Sequence, residues 1–180
     1  MVYAYRGIKK SMSDLLKKPG FIKLLFSKPQ ISPESYLSDV YDGSFYKSFL
    51  DRDGNHFFSD KRNIGLMLNF DFFNPFKNSQ YSLGVIYAVL LNLPRDVRFL
   101  WENVIIVGII PGPKEPKKTI NSFLKPFVDE LMLSWSPGII IQENGLNMLY
   151  RFALVCVSSD LPAFRKCAGF LSHNATKGMG

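Results

Sequence analysis

Two aspartates stand where a charge needs a reason. Asp71 interrupts the apolar and aromatic run LNFDFFNPF, and Asp160 closes the run VCVSSD just ahead of Leu161-Pro162. A strand that holds Ile64, Leu66, Leu68 and Phe70 on one face turns Asp71 to the other, close to the Asn74-Pro75 pair that ends it. An aspartate in such a place ordinarily shapes or caps a turn, and Asp160 before Leu-Pro reads in the same way. The chemical alternative needs both residues. If their strands are neighbours running in one direction, about 4.8 Å apart, the two carboxylates arrive at one rim and can share a metal ion. Spacing alone leaves open whether the last strand lies beside the first or beside the third.

The elements that must position these acids become regular from Asn63 onward. Residues 64–72, 83–91 and 104–110 read as strands rich in Val, Ile, Leu or Tyr and bounded by Asn or Pro. The connectors NPFKNSQYS and NLPRDVRFLWEN hold no crossover helix, so the three strands form an antiparallel meander, and the first runs the same way as the third. After the turn-rich PGPKEPKK comes a helix over about 120–135, whose Ile120, Phe123, Leu124, Phe127, Val128, Leu131 and Trp135 recur by three and four. Pro126 is tolerated near its first turn if the helix begins around Ser122, and otherwise kinks it. Residues 150–157 form the fourth strand, which the helical crossover makes parallel to the third. The fold class is α/β with a mixed sheet, in the order strand, strand, strand, helix, strand.

Residues 1–62 read as a basic leader that packs on the main domain of residues 63–180. The stretch SMSDLLKKPGFIKLL predicts a short amphipathic helix with Ser11 or Ser13 as N-cap and a break at Pro19-Gly20. Asp42-Gly43 and Asp53-Gly54 predict turns between short aromatic strands or a hairpin.

The chain has 180 residues, 47% of them hydrophobic and 14% aromatic, which suits one domain with a substantial core. Its 22 Lys and Arg outnumber 15 Asp and Glu, and the net +7 attracts nucleic acid or anionic membrane. Lys9, Lys10, Lys17, Lys18, Lys23 and Lys28 form either a phosphate-facing surface or a solvated helix face. Lys114, Lys117 and Lys118 offer DNA-backbone contacts that fix position without reading sequence, although an exposed turn explains them equally well. Arg165 and Lys166, close to Asp160, are better placed for phosphate. The apolar runs at 83–91 and 104–110 fall short of the roughly 18 residues of a spanning helix, and no apolar segment follows the charged start MVYAYRGIKK.

Other chemistry is thinly supported. PGPKEPKK lacks the Gly-Lys-Ser/Thr ending of a phosphate-binding loop, and no Ser/His/Asp arrangement is legible. Asp129 and Glu130 fall opposite the helix's apolar stripe and read as solvated. His56 has no partner in view, and His173 with Cys167 makes an incomplete zinc set. Cys156 and Cys167 suit reduced thiols. Asn174-Ala175-Thr176 reads as an accidental match to a glycosylation acceptor.

Four blocks in order carry a resemblance: LNFDFFNPF, NLPRDVRF, GIIPGPKEPKKTINSFLKPFVDEL and SSDLPAFRKCAGFLSHNATKG. Together they resemble the transposase domain of CACTA-superfamily (En/Spm-like) DNA transposons, from about Asp39 to the last residue. DVYDGSFYKSF is similar to the block that precedes that domain. The resemblance implies a ribonuclease-H-like fold, here incomplete, and a DDE/D enzyme that cuts transposon ends and joins the released 3′-hydroxyl to target DNA. Asp71 matches the family's first catalytic acid and Asp160 its second. It also implies two divalent cations on these acids, Mg²⁺ with Mn²⁺ as substitute, and DNA as partner in the nucleus, with self-association in the parent enzyme. The family carries a third acid on a later helix and a Cys-x-x-Cys pair after the SHNA-type segment. Neither occurs before Gly180, so the expectation is a fragment with two of three acids, weak metal binding and little turnover. The competing expectation is a non-catalytic, transposon-derived DNA-binding or protein-interaction module.

Overall fold

The computed structural model describes residues 3–27, 36–77, 81–113 and 120–160. In chain order the elements are β1 (Ala4–Tyr5), α1 (Ile8–Leu16), α2 (Phe21–Leu25), α3 (Ser44–Ser48), β2 (Asn63–Phe73), β3 (Leu83–Leu90), β4 (Ile105–Ile110), α4 (Ile120–Trp135), β5 (Ile139–Glu143) and β6 (Leu146–Ser159). One mixed sheet holds all the strands in the order β1-β4-β3-β2-β6-β5.

The alternation Ile64, Leu66, Leu68, Phe70 is what fastens β2 into the centre of this sheet. All four are buried on one face with Ile86, Ala88 and Leu90 of β3 and Tyr150 and Phe152 of β6. That face is covered by Ile8, Met12, Leu15 and Leu16 of α1 and by Ile120 and Phe127 of α4. Each fully buried Ile, Leu or Phe contributes about 1.5–3 kcal/mol, so this layer supplies most of the drive to fold. On the opposite face, Phe57, Phe58 and Tyr41 cover the half of the sheet where β2 begins, against Val89, Leu91 and Ala153. Gly65 permits that approach, because a Cβ there would lie 3.2 Å from the Phe58 ring.

β2, β3 and β4 form the expected antiparallel meander. β6 pairs parallel with β2 from Asn63↔Arg151 to Phe70↔Ser159, which settles the neighbour that spacing left open. Between α4 and β6 the structure inserts β5, a strand missing from the sequence-based expectation, which pairs antiparallel with the start of β6. Its turn is Asn144-Gly145, with φ of 51° and 82°. Both central residues are left-handed, as a tight hairpin between twisted strands requires, and Asn-Gly is its strongest sequence signal.

Two local expectations are corrected near the N-terminus. α1 begins at Ile8 after Gly7, so neither Ser11 nor Ser13 is its N-cap; Ser11 lies buried inside the helix. The free amides are met from α4, where the Glu130 carboxylate accepts from Ile8 N–H and Lys9 N–H at 2.8 Å each and from the Tyr5 hydroxyl. Glu130 is therefore a capping group rather than a solvated one. Asp42-Gly43 leads into α3 rather than a strand, whereas Gly54, at φ 80°, does turn the chain between the bridged residues Leu50 and His56. Pro126 lies well inside α4, where it offers no N–H to the carbonyl one turn back.

Candidate active site

Asp71 belongs to β2, which is hydrogen-bonded on both sides, and it faces Val85 of β3 in register. On the other side the register ends at Phe70↔Ser159, so Asp71 is the next residue of β2 and Asp160 the residue that immediately follows β6. Both are exposed.

Whether they share a face is decided by an irregularity. Leu66 pairs with Leu154 but Met67 with Cys156, leaving Val155 as an extra residue in β6. Before it, Phe152 and Leu154 face the helices, alongside Ile64 and Leu66. A strict alternation would carry that face on to residues 156, 158 and 160. The bulge reverses the parity: Val157 and Ser159 now pair with Leu68 and Phe70, so Ser158 shares the face of Asn69, and alternation continued one residue past β6 would set Asp160 with Asp71.

Two loops close in at this end of the sheet. The Ser82 amide donates to the Pro113 carbonyl at 3.0 Å, joining the β2–β3 connection to the segment after β4. Gly112, in the PGP of the quoted motif, makes this possible: a Cβ there would meet the Ser82 carbonyl at 2.5 Å and the Tyr81 ring at 2.7 Å. Phe73 and Phe76 remain exposed beside them.

Among the described residues no group of three or more His, Cys, Asp or Glu gathers closely enough to hold a metal ion. As carboxylates, Asp71 and Asp160 are hard oxygen donors of the kind that divalent cations take. Lys114, Lys117, Lys118, Arg165 and Lys166 lie outside the described residues, as do Lys28, Cys167, His173 and Asn174 to Thr176. Asp129 is exposed and paired with Lys125 at 2.6 Å. Cys156 is half-buried, and burial pushes its thiol up, which disfavours the thiolate a nucleophile needs. Among the described residues no helix is long and apolar enough to cross a membrane.

The opposite end of the sheet, where β2 and β6 begin, holds ion pairs to which the sequence reading gave no role. Arg98 is buried and donates to both Asp39 oxygens, at 2.6 and 2.9 Å, and to the carbonyls of Leu91 and Leu93. It thereby clamps the DVYDG block onto the NLPRDVRF block. Arg62 grips Glu143 with two nitrogens at 2.9 and 3.0 Å, and Tyr150 donates to the same carboxylate at 2.7 Å. The Arg62 hydrogen bonds hold Glu143 below the usual carboxylate range. Arg151 reaches Asp51 at 3.0 Å and lies over the rings of Phe57 and Trp135. Hydrogen bonding from Asn55 N–H, and then from Arg151, lowers the Asp51 carboxyl. These partners are 59, 81 and 100 residues apart, beyond the reach of local pattern.

Compared with known proteins, the chain matches the model of transposase family tnp2 over residues 34–179, a span that includes Asp39, Asp71 and Asp160 and begins after α2. No curated protein matches it. With most of its length inside that match, the chain belongs to the tnp2 transposase family of CACTA/En/Spm elements that its motifs resemble.

Proposed function

We propose that this chain is the ribonuclease-H-like part of a DDE/D-type transposase, with Asp71 and Asp160 as metal ligands of a site for DNA cleavage and strand transfer. The observation that carries the reading is the parallel pairing of β2 and β6, which makes the ends bearing the two acids neighbours. Carboxylate oxygens suit Mg²⁺, with Mn²⁺ as substitute. When bound, a pair of such cations activates the attacking oxygen of a phosphodiester displacement and stabilises the departing one. The chain's own contribution is placement. β2 is bonded on both sides, and β6 is fastened to it over eight paired positions, so Asp71 stands on rigid backbone and Asp160 directly follows a strand fixed beside it. Their exposure leaves the rim open to a DNA strand, a substrate that places the protein in the nucleus.

The test is a Mn²⁺ titration of the folded chain beside Asp71→Asn and Asp160→Asn. Each variant should bind at least about tenfold more weakly, since even an outer partner of a ligand costs roughly that much. Equal binding by all three would remove both residues from the proposed site. A chain that binds DNA while none of the three forms responds to Mn²⁺ would instead be a non-catalytic DNA-binding module.

A further inference from the structure

A cluster of positive charge lies away from the acid rim, at the pole where β2 and β6 begin. α1 ends at Leu16, the chain turns through Pro19 and Gly20 at φ 77°, and α2 follows. Between this turn, α2 and the tip of the β5–β6 hairpin runs a groove of about 610 Å³, lined by Lys17, Lys18, Ile22, Lys23, Phe26 and Asn144. Phe26 extends the charge, because Lys61 Nζ sits 4.7 Å and the Arg62 guanidinium 5.5 Å from its ring centre.

Two of the nearby carboxylates are already committed. Glu143, next to Asn144 in the chain, is held by Arg62 and Tyr150. Asp14 is bonded to Arg6 and Lys10 at 2.6 and 2.9 Å and lies 4.0 Å from Lys17. Lys18 donates to the Glu102 carbonyl, whereas Lys17 and Lys23 are exposed and contribute little to the fold. Lysines lining a concavity suit a convex, regularly charged ridge better than the flat surface of a bilayer.

We infer that this groove binds the phosphodiester backbone of DNA as an anchoring site separate from the acid rim. The inference rests on the reading that the chain acts on DNA. Eight residues of β2 separate Asn63 from Asp71, about 26 Å at strand rise, and a longer stretch of β6 separates Asn144 from Asp160. Asn144, which lines the groove, lies sixteen residues before Asp160, up to about 53 Å at strand rise, so with a DNA turn of about 34 Å the groove and the rim can engage one duplex within about one and a half turns. The lysines come from residues ahead of the family match at 34–179, making this an addition carried by the α1–α2 segment.

The experiment is fluorescence anisotropy of the whole chain with a labelled duplex of about 20 base pairs, over about 50 to 200 mM salt. Two lost phosphate contacts reduce the slope of log affinity against log salt by about 1.8. Across that range wild type should therefore lose about twelvefold more affinity than Lys17→Ala/Lys23→Ala. Lys47→Ala/Arg52→Ala, which removes two exposed cations from the segment before β2, should keep the wild-type slope. Lys17→Ala/Lys23→Ala should still bind Mn²⁺ as wild type does, so the groove and the metal site fail or stand separately. The inference is overturned by an unchanged slope in the lysine variant, by an equal drop in the control, or by a loss of binding confined to phosphatidylserine vesicles.

Discussion

The two poles of the sheet are built in opposite ways. Where β2 and β6 begin, three guanidinium groups are sunk against carboxylates, and Arg98 and Asp39 have side chains only 3% and 12% exposed. Where the same strands end, Asp71 and Asp160 stand exposed on neighbouring backbones. A buried ion pair is a poor source of net stability, because desolvation consumes most of the attraction, but leaving one partner alone is expensive. The clamped pole thus dictates which distant segments dock together, joining residues 39, 51 and 143 to 98, 151 and 62. The rigidity so gained supports the other pole, where the two acids are exposed rather than sunk in the fold. On the proposed function, stability and chemistry would then lie at different ends of the same strands.

The sharpest way to break this contrast is Asp39→Ala. It strands a buried Arg98 that keeps only the backbone carbonyls of Leu91 and Leu93. The cost should be about 3–5 kcal/mol, read as a lower urea midpoint. A change under about 0.5 kcal/mol would mean that Arg98 finds water or another partner and that no clamp exists.

Glu143→Gln should cost less, about 2 kcal/mol, because Gln retains hydrogen-bonding oxygen while Arg62 loses its counter-charge. It also carries a pH signature. The folded carboxyl of Glu143 lies below its ordinary value of 4.5, so its contribution is complete above about pH 4.5. As pH falls further the unfolded chain takes up the proton first, and stability declines until the lowered folded value is passed. Asp51, also lowered, acts in the same direction. Urea midpoints from about pH 6 to pH 3 should fall less steeply for Glu143→Gln than for wild type. Parallel curves would detach Glu143 from the acid response.

The same division explains what could be read from sequence. Alternation of Ile64, Leu66, Leu68 and Phe70 identifies β2, and short connectors give the meander, because both depend on neighbouring residues. Counting reversals put the ends of β2 and β6 at one rim, but Val155 was invisible: a single extra residue exchanges the faces of everything after it. The β5–β6 hairpin was legible at Asn144-Gly145 and was missed because the apolar run Ile139 to Ile141 does not alternate. Glu130 could not be recognised as the cap of α1, since its amide partners lie 121 and 122 residues away. Periodicity reports the face a residue takes, not the group it meets there.

The smallest expected effect on stability is at the acids themselves. Asp71→Asn alters an exposed side chain without changing its size, and surface changes of this kind stay within about 0.5 kcal/mol. If metal-free carboxylates repel each other at the rim, removing one even stabilises slightly, and added salt shrinks the gain by screening it. Thermal melts of the metal-free protein at low and high salt measure this directly. A loss of more than about 2 kcal/mol for Asp71→Asn would show that this acid is a structural partner of the fold, and the two poles would then no longer differ in kind. A small gain that vanishes in salt would tie Asp71 to Asp160 electrostatically before any metal is added.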